Sequence, residues 1–235
     1  MNSGQPKLIS LEKYHALLAL AKKKGLSKTF EKPKHQWVIS NSDSWLARIS
    51  LPWHTLPDQS GNLKEIDDFH LALVMIRAGI ATTGYFHNGE MLDHKVFRAY
   101  MVRQKQGKSQ IKYLKTKGKS RAGSRLRLGE SEHFFEEINE RLQEYEKDFA
   151  ITTWGYSCGK TLWPYFLGSD PPPPFSKDAE NLIRIPFHVQ QPDFSTLQTI
   201  HTKLRSIHLT LSESGLVMFD DLDTAALKEE NEDDW

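Results

Sequence analysis

Apolar residues recur at helical spacing in three stretches of the chain, and each stretch predicts an amphipathic helix. The first, LEKYHALLALAKKKG, closes on lysines and Gly25. The second, GESEHFFEEINERLQEYEKDF, has Ser131 in the N-cap position. The third, STLQTIHTKLRSI, begins with a capping box from Ser195 to Gln198. The three apolar stripes are, in order, Leu11, Tyr14, Leu18 and Ala21; then Phe134, Ile138, Leu142, Tyr145 and Phe149; then Leu197, Ile200, Leu204 and Ile207.

Short runs of β-compatible residues between these helices predict strands. LALVMIRAG has the pattern of a buried strand, and AITTWGY and NLIRIPFHV resemble two more. GIATTGYFH and EMLDHKVFRAYMV are separated by Asn88-Gly89, a pair that tolerates the positive φ angles of a type I′ turn and predicts a β-hairpin. Strands interleaved with helices predict an α/β or α+β fold, with a mixed β-sheet flanked by helices.

A long basic stretch follows the predicted hairpin. Residues 103–129 lack apolar periodicity and contain Gly107, Gly118 and Gly123, so they are predicted to form a long mobile loop. The expected organisation is therefore an N-terminal helical segment over residues 1–35, an α/β domain over 36–211 that carries this loop, and an acidic, disordered tail over 212–235.

Composition excludes several kinds of site and of protein. A single cysteine, Cys158, excludes an intramolecular disulfide and a zinc site built from several thiolates. The ten histidines show no metal-binding spacing, and His87 and His94 fall on the two arms of the hairpin, so neither a metal nor a cofactor is predicted. No apolar run has the length of a membrane span and MNSGQPKLIS has no secretory core, which predicts a cytoplasmic protein without a membrane partner.

GYSCGKT resembles a phosphate-binding loop at first sight. That loop needs four residues between its two glycines, and this stretch has only three between Gly155 and Gly159. The sequence therefore does not predict a nucleotide site here.

The basic stretch is the strongest chemical signal. Its cations would repel one another, since no acidic residue interrupts them, and a polyanionic partner would relieve that repulsion. With Tyr113 as the only stacking aromatic, the pattern favours contact with nucleic-acid phosphates over the reading of bases. The predicted RNA-binding residues are Arg103, Lys105, Lys108, Lys112, Lys115, Lys117, Lys119, Arg121, Arg125 and Arg127.

The same stretch carries a resemblance to a known family. RAYMVRQKQGKSQ, followed by SRAGSRLRLGESEHFFEEINERL, is similar to the release-factor-like domain of the Vms/Ankzf family of ribosome quality-control peptidyl-tRNA hydrolases. That family's R-x-K-x-G-x-x-Q signature is matched by Arg103, Lys105, Gly107 and Gln110, and its A-G-x-x-L-R-x-x-E pattern is matched over residues 122–130. The likeness extends from about residue 65 to 210 and includes IRIPFHVQQPDFSTLQTIHTKL.

The chain also departs from that family. It lacks the zinc-finger cysteines, the ankyrin repeats and the long C-terminal extension of the eukaryotic members. It has Lys108-Ser109 where release factors of the Gly-Gly-Gln type carry a second glycine beside the glutamine.

The resemblance implies a fold similar to the catalytic middle domain of eukaryotic-type peptide release factors. It implies a monomeric factor whose partners are the large ribosomal subunit, ribosomal RNA and peptidyl-tRNA. The implied catalytic positions are Gly107, Ser109 and Gln110: the glycine would let the backbone approach the tRNA end, and the glutamine would orient the attack.

Two other functions stay open. The same loop could direct cleavage of the tRNA near its 3′ end, where a ribose 2′-hydroxyl attacks the adjacent phosphate. Alternatively, the basic loop could serve a non-catalytic ribosome-binding or RNA-binding factor.

Overall fold

The computed structural model describes residues 4–99 and 119–220, and for residues 119–132 it describes the backbone alone. Within these residues, strands and helices alternate irregularly along the chain. They are β1 (Lys7–Ile9), α1 (Leu11–Lys23), β2 (Ser27–Glu31), β3 (Gln36–Ser40), β4 (Trp45–Ser50), β5 (Thr55–Pro57), β6 (Leu63–Glu65), β7 (His70–Arg77), β8 (Ile80–His87), β9 (Glu90–Arg98), α2 (Lys119–Asp148), β10 (Thr153–Cys158), α3 (Trp163–Leu167), β11 (Leu182–Arg184), α4 (Phe194–Leu204), β12 (Ile207–Leu211) and α5 (Glu213–Met218).

Contacts divide the chain into two compact units. The first comprises Met1–Asp68 with Thr199–Trp235, and the second comprises Phe69–Gln198. This division differs from the predicted one, in which residues 1–35 formed a separate helical segment. That segment supplies β1 and β2, which pair with β12 and β3, so it contributes two strands to the sheet of the first unit.

The first unit contains an antiparallel sheet of five strands in the order β1-β12-β4-β3-β2. Helix α1 forms as predicted and is capped by the Ser10 hydroxyl oxygen, which accepts a hydrogen bond from the Lys13 N–H. Its buried face consists of Tyr14, Leu17, Leu18 and Ala21. The predicted stripe is wrong at Leu11, which is 52% exposed because the helix has just begun there.

The second unit contains the predicted mixed sheet, with strand order β11-β10-β7-β8-β9. Strands β11, β10 and β7 are parallel, whereas β7, β8 and β9 are antiparallel. The predicted hairpin is confirmed: Asn88 and Gly89 connect β8 to β9 with φ angles of 48° and 89°. The core lies between one face of this sheet and α2, where Val74, Ile76 and Trp154 are buried together with Ile138 and Leu142.

Helix α2 is longer than predicted. It begins at Lys119, so Ser131 lies inside the helix and the predicted N-cap there is wrong. The prediction of a loop through residue 129 is also wrong for residues 119–129. The pattern missed this part because its residues are charged or small apart from Leu126 and Leu128, which do not form an apolar stripe, although most of them are compatible with a helix.

Two further boundaries differ from the sequence prediction. The Asp193 carboxylate accepts a hydrogen bond from the Thr196 N–H at 2.8 Å, which places the cap of α4 at Asp193 and not at the predicted Ser195-Gln198 box. The predicted disordered tail from residue 212 begins with an ordered helix, α5. The Ser212 hydroxyl oxygen caps that helix by accepting from the Gly215 N–H, and Phe219 is buried just beyond it.

Candidate functional site between β9 and α2

The candidate site lies on the chain between the last strand of the hairpin and the long helix. The predicted catalytic positions Gly107, Ser109 and Gln110 lie outside the described residues. So do six predicted RNA-binding residues, which are Arg103, Lys105, Lys108, Lys112, Lys115 and Lys117. The other four predicted RNA-binding residues lie on the helical backbone of α2 and are Lys119, Arg121, Arg125 and Arg127. The structure therefore describes the two elements that flank the site.

Strand β9 is the element on the N-terminal side of the candidate segment, and it is held firmly in the sheet. It pairs with β8 along its whole length, from the His87–Glu90 pair at the turn to the Ile80–Arg98 pair at the far end. One residue later the Ala99 N–H still donates to the Gly79 carbonyl at 3.1 Å. The chain is thus held to the sheet up to the point where the candidate segment begins.

Helix α2 is the element on the C-terminal side of the candidate segment, and a wide apolar face holds it against the sheet. Phe134, Phe135, Ile138, Leu142 and Tyr145 are each 5% exposed or less and pack in the core beneath the sheet. Burying side chains of this size contributes roughly 1.5–3 kcal/mol each. The C-terminal half of α2 is therefore held firmly to the same sheet as β9.

An ion pair links the two flanks directly. The Arg141 guanidinium on α2 donates to the Asp93 carboxylate on β9, and it also donates to the Glu144 carboxylate one turn further along the helix. The sequence analysis did not predict this pair, because nothing local indicates that residues on a strand and a distant helix face each other. The link ties the half of β9 nearest the turn to the helix that follows the candidate segment.

The hydroxyl of Tyr145 and its neighbours belong to the core and not to a reactive site. Burial raises the pKa of Tyr145, and its ring packs against Tyr85 and Phe149. Tyr85 stacks on Phe149 with ring centroids 3.8 Å apart. These aromatic rings hold α2 against β8, which again stabilises the second flank.

Two histidines meet at the opposite end of the same sheet. His70 and His87 are directly paired across β7 and β8, with stacked rings whose centroids are 4.3 Å apart. His70 Nδ1 lies 2.7 Å from the Tyr85 hydroxyl. With Asp68, just before β7, they offer three ligand atoms within 4.8 Å of one another. We assign no metal to this arrangement.

Cys158 ends β10 and is half-buried. Burial is the main reason that the pKa of its thiol is raised to about 11, against smaller opposing effects of Arg77 and the Gly159 backbone. The thiol therefore stays protonated near neutral pH and is a poor nucleophile. Cys158 therefore has the environment of a structural cysteine.

None of the helices in the described parts of the chain is both long enough and apolar enough to cross a membrane.

Comparison with known proteins identifies what the chain resembles. The sequence family described as "Bacteroidetes VLRF1 release factor" matches residues 71–212, a range that includes the whole segment between β9 and α2. No curated protein matches the chain. A solved structure described as "Vms1 mitochondrial localization core" is similar, with 13% sequence identity, a TM-score of 0.41, and coverage of 86% of this chain and 89% of that chain.

Proposed function

Because the chain belongs to the Bacteroidetes VLRF1 release factor family, we propose that it releases nascent chains from peptidyl-tRNA on stalled large ribosomal subunits. The family match supports a release-factor-like function in ribosome quality control and ribosome association. The more specific proposal of peptide release rests on the signature formed by Arg103, Lys105, Gly107 and Gln110. This signature falls inside the matched range.

The proposed reaction is hydrolysis of the ester that joins the peptide to the tRNA. A water oxygen forms a bond to the ester carbonyl carbon, the bond from that carbon to the tRNA oxygen breaks, and the water supplies the proton that the tRNA 3′-hydroxyl regains. Gln110 cannot act as a base, since its amide does not titrate near neutral pH. Its side-chain carbonyl accepts a hydrogen bond from the water, and its backbone N–H stabilises the developing oxyanion.

The neighbouring residues position this glutamine. Gly107 lets the backbone pass close to the tRNA end, since it has no side chain. Ser109 takes the place of the second glycine of Gly-Gly-Gln release factors and is the smallest polar side chain that could occupy that position. The cations of residues 103–127 hold RNA phosphates, which orients the segment in the peptidyl-transferase centre.

The flanks described above support this proposal. A segment that must enter a narrow RNA cavity needs fixed ends, and β9 and the C-terminal half of α2 are anchored to one sheet and to each other through Asp93 and Arg141. We propose that the protein works as a cytoplasmic monomer, with the large subunit, ribosomal RNA and peptidyl-tRNA as partners.

The test uses stalled large-subunit complexes that carry radiolabelled peptidyl-tRNA. Wild type, Gln110→Ala and the control Gln106→Ala are compared, the control being a glutamine of the same segment outside the signature. We expect Gln110→Ala to slow peptide release on the order of 10²-fold, because the variant keeps the backbone N–H but loses the side-chain carbonyl that positions the attacking water, and misplacing a reacting group costs about this much in enzymes. We expect Gln106→Ala to release peptide at nearly the wild-type rate.

Mapping the tRNA 3′ end in the same reaction separates the chemical alternatives. An intact 3′ end accompanying peptide release means ester hydrolysis, whereas a shortened end means cleavage of the tRNA. Equal release by Gln110→Ala and wild type would contradict the proposed part of Gln110. Binding without either product would leave a non-catalytic ribosome-binding factor as the function.

A further inference from the structure

Four cations lie at one edge of the mixed sheet in the second unit. Strands β7, β9 and β11 end in Arg77, Arg98 and Arg184, and Lys160 follows two residues after the end of β10. The ends of β7 and β9 coincide because Arg77 pairs with Ile80 and Ile80 pairs with Arg98. Parallel pairing brings the ends of β10 and β11 to the same side. We call Arg77, Arg98, Lys160 and Arg184 the cationic edge.

The opposite edge of the same sheet carries acidic residues. Glu90 starts β9, and Asp178 and Glu180 come just before β11. Lys177 lies beside Asp178 there, with its Nζ 4.0 Å from the carboxylate. The sheet therefore has a positive end and a more acidic end, a distribution that attracts a polyanion to one side only.

The side chains of the cationic edge are placed to meet a large anion. Arg98, Lys160 and Arg184 are exposed. Arg77 is half-buried and held in place, since it donates to the Ile76 carbonyl at 2.8 Å and to the Ser157 hydroxyl at 3.2 Å. Asp193 faces this edge: hydrogen bonds from Thr196 chiefly lower its pKa, and Arg98 lowers it further.

Aromatic side chains accompany these cations. Arg184 pairs with Tyr156 in the sheet register, and the Tyr156 ring stacks on Trp163 with centroids 4.5 Å apart. Tyr165, two residues further in α3, is 63% exposed. Tyr156 and Trp163 pack against the apolar core of the unit, so Tyr165 is the exposed ring of this group that can stack on an unpaired base while the cations contact phosphates.

We propose that the cationic edge is an RNA-binding surface that contacts phosphates of ribosomal RNA outside the predicted loop. The inference rests on the proposed function, since the ribosomal complex supplies the RNA. Five strands about 4.8 Å apart give this edge a width of about 19 Å, enough for several consecutive nucleotides. Strand β9 leads from this edge into the candidate segment, so RNA held here also restrains the start of that segment.

The experiment measures binding to purified large ribosomal subunits over a series of KCl concentrations. The double variant Lys160→Gln/Arg184→Gln removes two exposed cations of the edge. The control Lys147→Gln/Lys177→Gln makes the same change in charge at exposed positions of the same unit that lie outside the edge. Both variants are first checked for wild-type thermal unfolding, because only folded proteins with equal charge give a valid comparison.

We expect the slope of log affinity against log salt to fall by about 0.7 for each lost phosphate contact in the edge variant, and to be unchanged in the control. In a second arm, a diazirine-bearing lysine analogue at position 160 is expected to cross-link to RNA. Equal slopes for the two variants, or cross-links to ribosomal protein alone, would overturn the inference.

The two proposals fail separately. Binding requires no turnover, so a slope difference without any peptide release supports the cationic edge and contradicts the proposed reaction. Peptide release that depends on Gln110, combined with equal slopes for both double variants, supports the reaction and overturns the RNA-binding edge.

Discussion

Gly215 in α5 occupies a position where no side chain fits. A Cβ added there would lie 2.0 Å from the carbonyl oxygen of Leu46 and 2.8 Å from its carbonyl carbon. Leu46 belongs to β4, the central strand of its sheet, so its backbone cannot move without disturbing strand pairing. We expect Gly215→Ala to lower the free energy of unfolding by about 3 kcal/mol, the upper end of the usual cost of overpacking.

Chemical denaturation measures this effect, and Gly159→Ala is the matched control. A Cβ at Gly159 would meet its nearest neighbours at 3.9 Å, an ordinary contact distance. We expect the control to unfold within about 0.5 kcal/mol of wild type, as most unstrained substitutions do. Similar denaturation midpoints for the two variants would contradict the tight packing of α5 on β4.

The sequence could not have identified Gly215 as a packing residue. A helix of six residues is too short to show a reliable apolar period, and ESGLVM lies where the charge pattern indicates an acidic tail. Its partner Leu46 is distant along the chain. Close packing between such segments becomes visible only in the folded structure.

At the scale of elements, the geometry of the β8–β9 turn predicts how substitutions at Asn88 change the stability of the hairpin. Asn88 has a φ of 48°, and its side-chain oxygen accepts a hydrogen bond from the Phe69 N–H at 2.8 Å. Asn88→Gly keeps the backbone freedom and loses this bond, whereas Asn88→Ala loses both. We expect unfolding free energies to fall by about 1 kcal/mol in Asn88→Gly and by about 2 kcal/mol or more in Asn88→Ala.

Denaturant unfolding of the three proteins checks that order. If Asn88→Ala is as stable as Asn88→Gly, the positive φ at this position contributes nothing and the turn is not a constraint on the hairpin. If both variants have the same free energy of unfolding as wild type, the hydrogen bond from the Phe69 N–H also contributes nothing to stability.

The elements differ in how far the sequence could predict them. The hairpin could be predicted from Asn88 and Gly89 alone, because their tolerance of positive φ angles does not depend on distant parts of the chain. The structure confirms this hairpin. The buried stripe of α2 was also predicted, but the start of the helix was not, because residues 119–129 have no apolar period. The Asp93–Arg141 pair and the parallel pairing of β10 with β7 depend on contacts between distant segments, for which a single sequence carries no local signal.

At the scale of the whole molecule, the first compact unit contains four histidines whose pKa values are shifted. The pKa values of His35, His54, His201 and His208 are all lowered, mainly because burial disfavours the charged imidazolium. The shift of His201 is large, to about 4, and Arg205 and His54 contribute to it after burial. All four residues lie within Met1–Asp68 or Thr199–Trp235.

These shifts determine the sign of the pH dependence. An unfolded histidine binds a proton near pH 6.5, whereas the folded His201 side chain does so only near pH 4. Between these values the unfolded chain binds more protons, so acidification stabilises the unfolded state and lowers the stability of the first unit. The loss begins as the pH falls through about 6.5 and is complete near the folded pKa.

We therefore expect native-state amide hydrogen exchange, corrected for its intrinsic pH dependence, to show lower protection in the first unit at pH 5 than at pH 7. His201→Gln should reduce that difference by about 1–2 kcal/mol, because it removes one group that the unfolded chain protonates first. His133→Gln, which removes a side chain that is 72% exposed in the second unit, is the control and should leave the difference unchanged. An equal loss of protection in both units, or a pH effect in His201→Gln as large as that in wild type, would mean that His201 does not contribute to the acid sensitivity of the first unit.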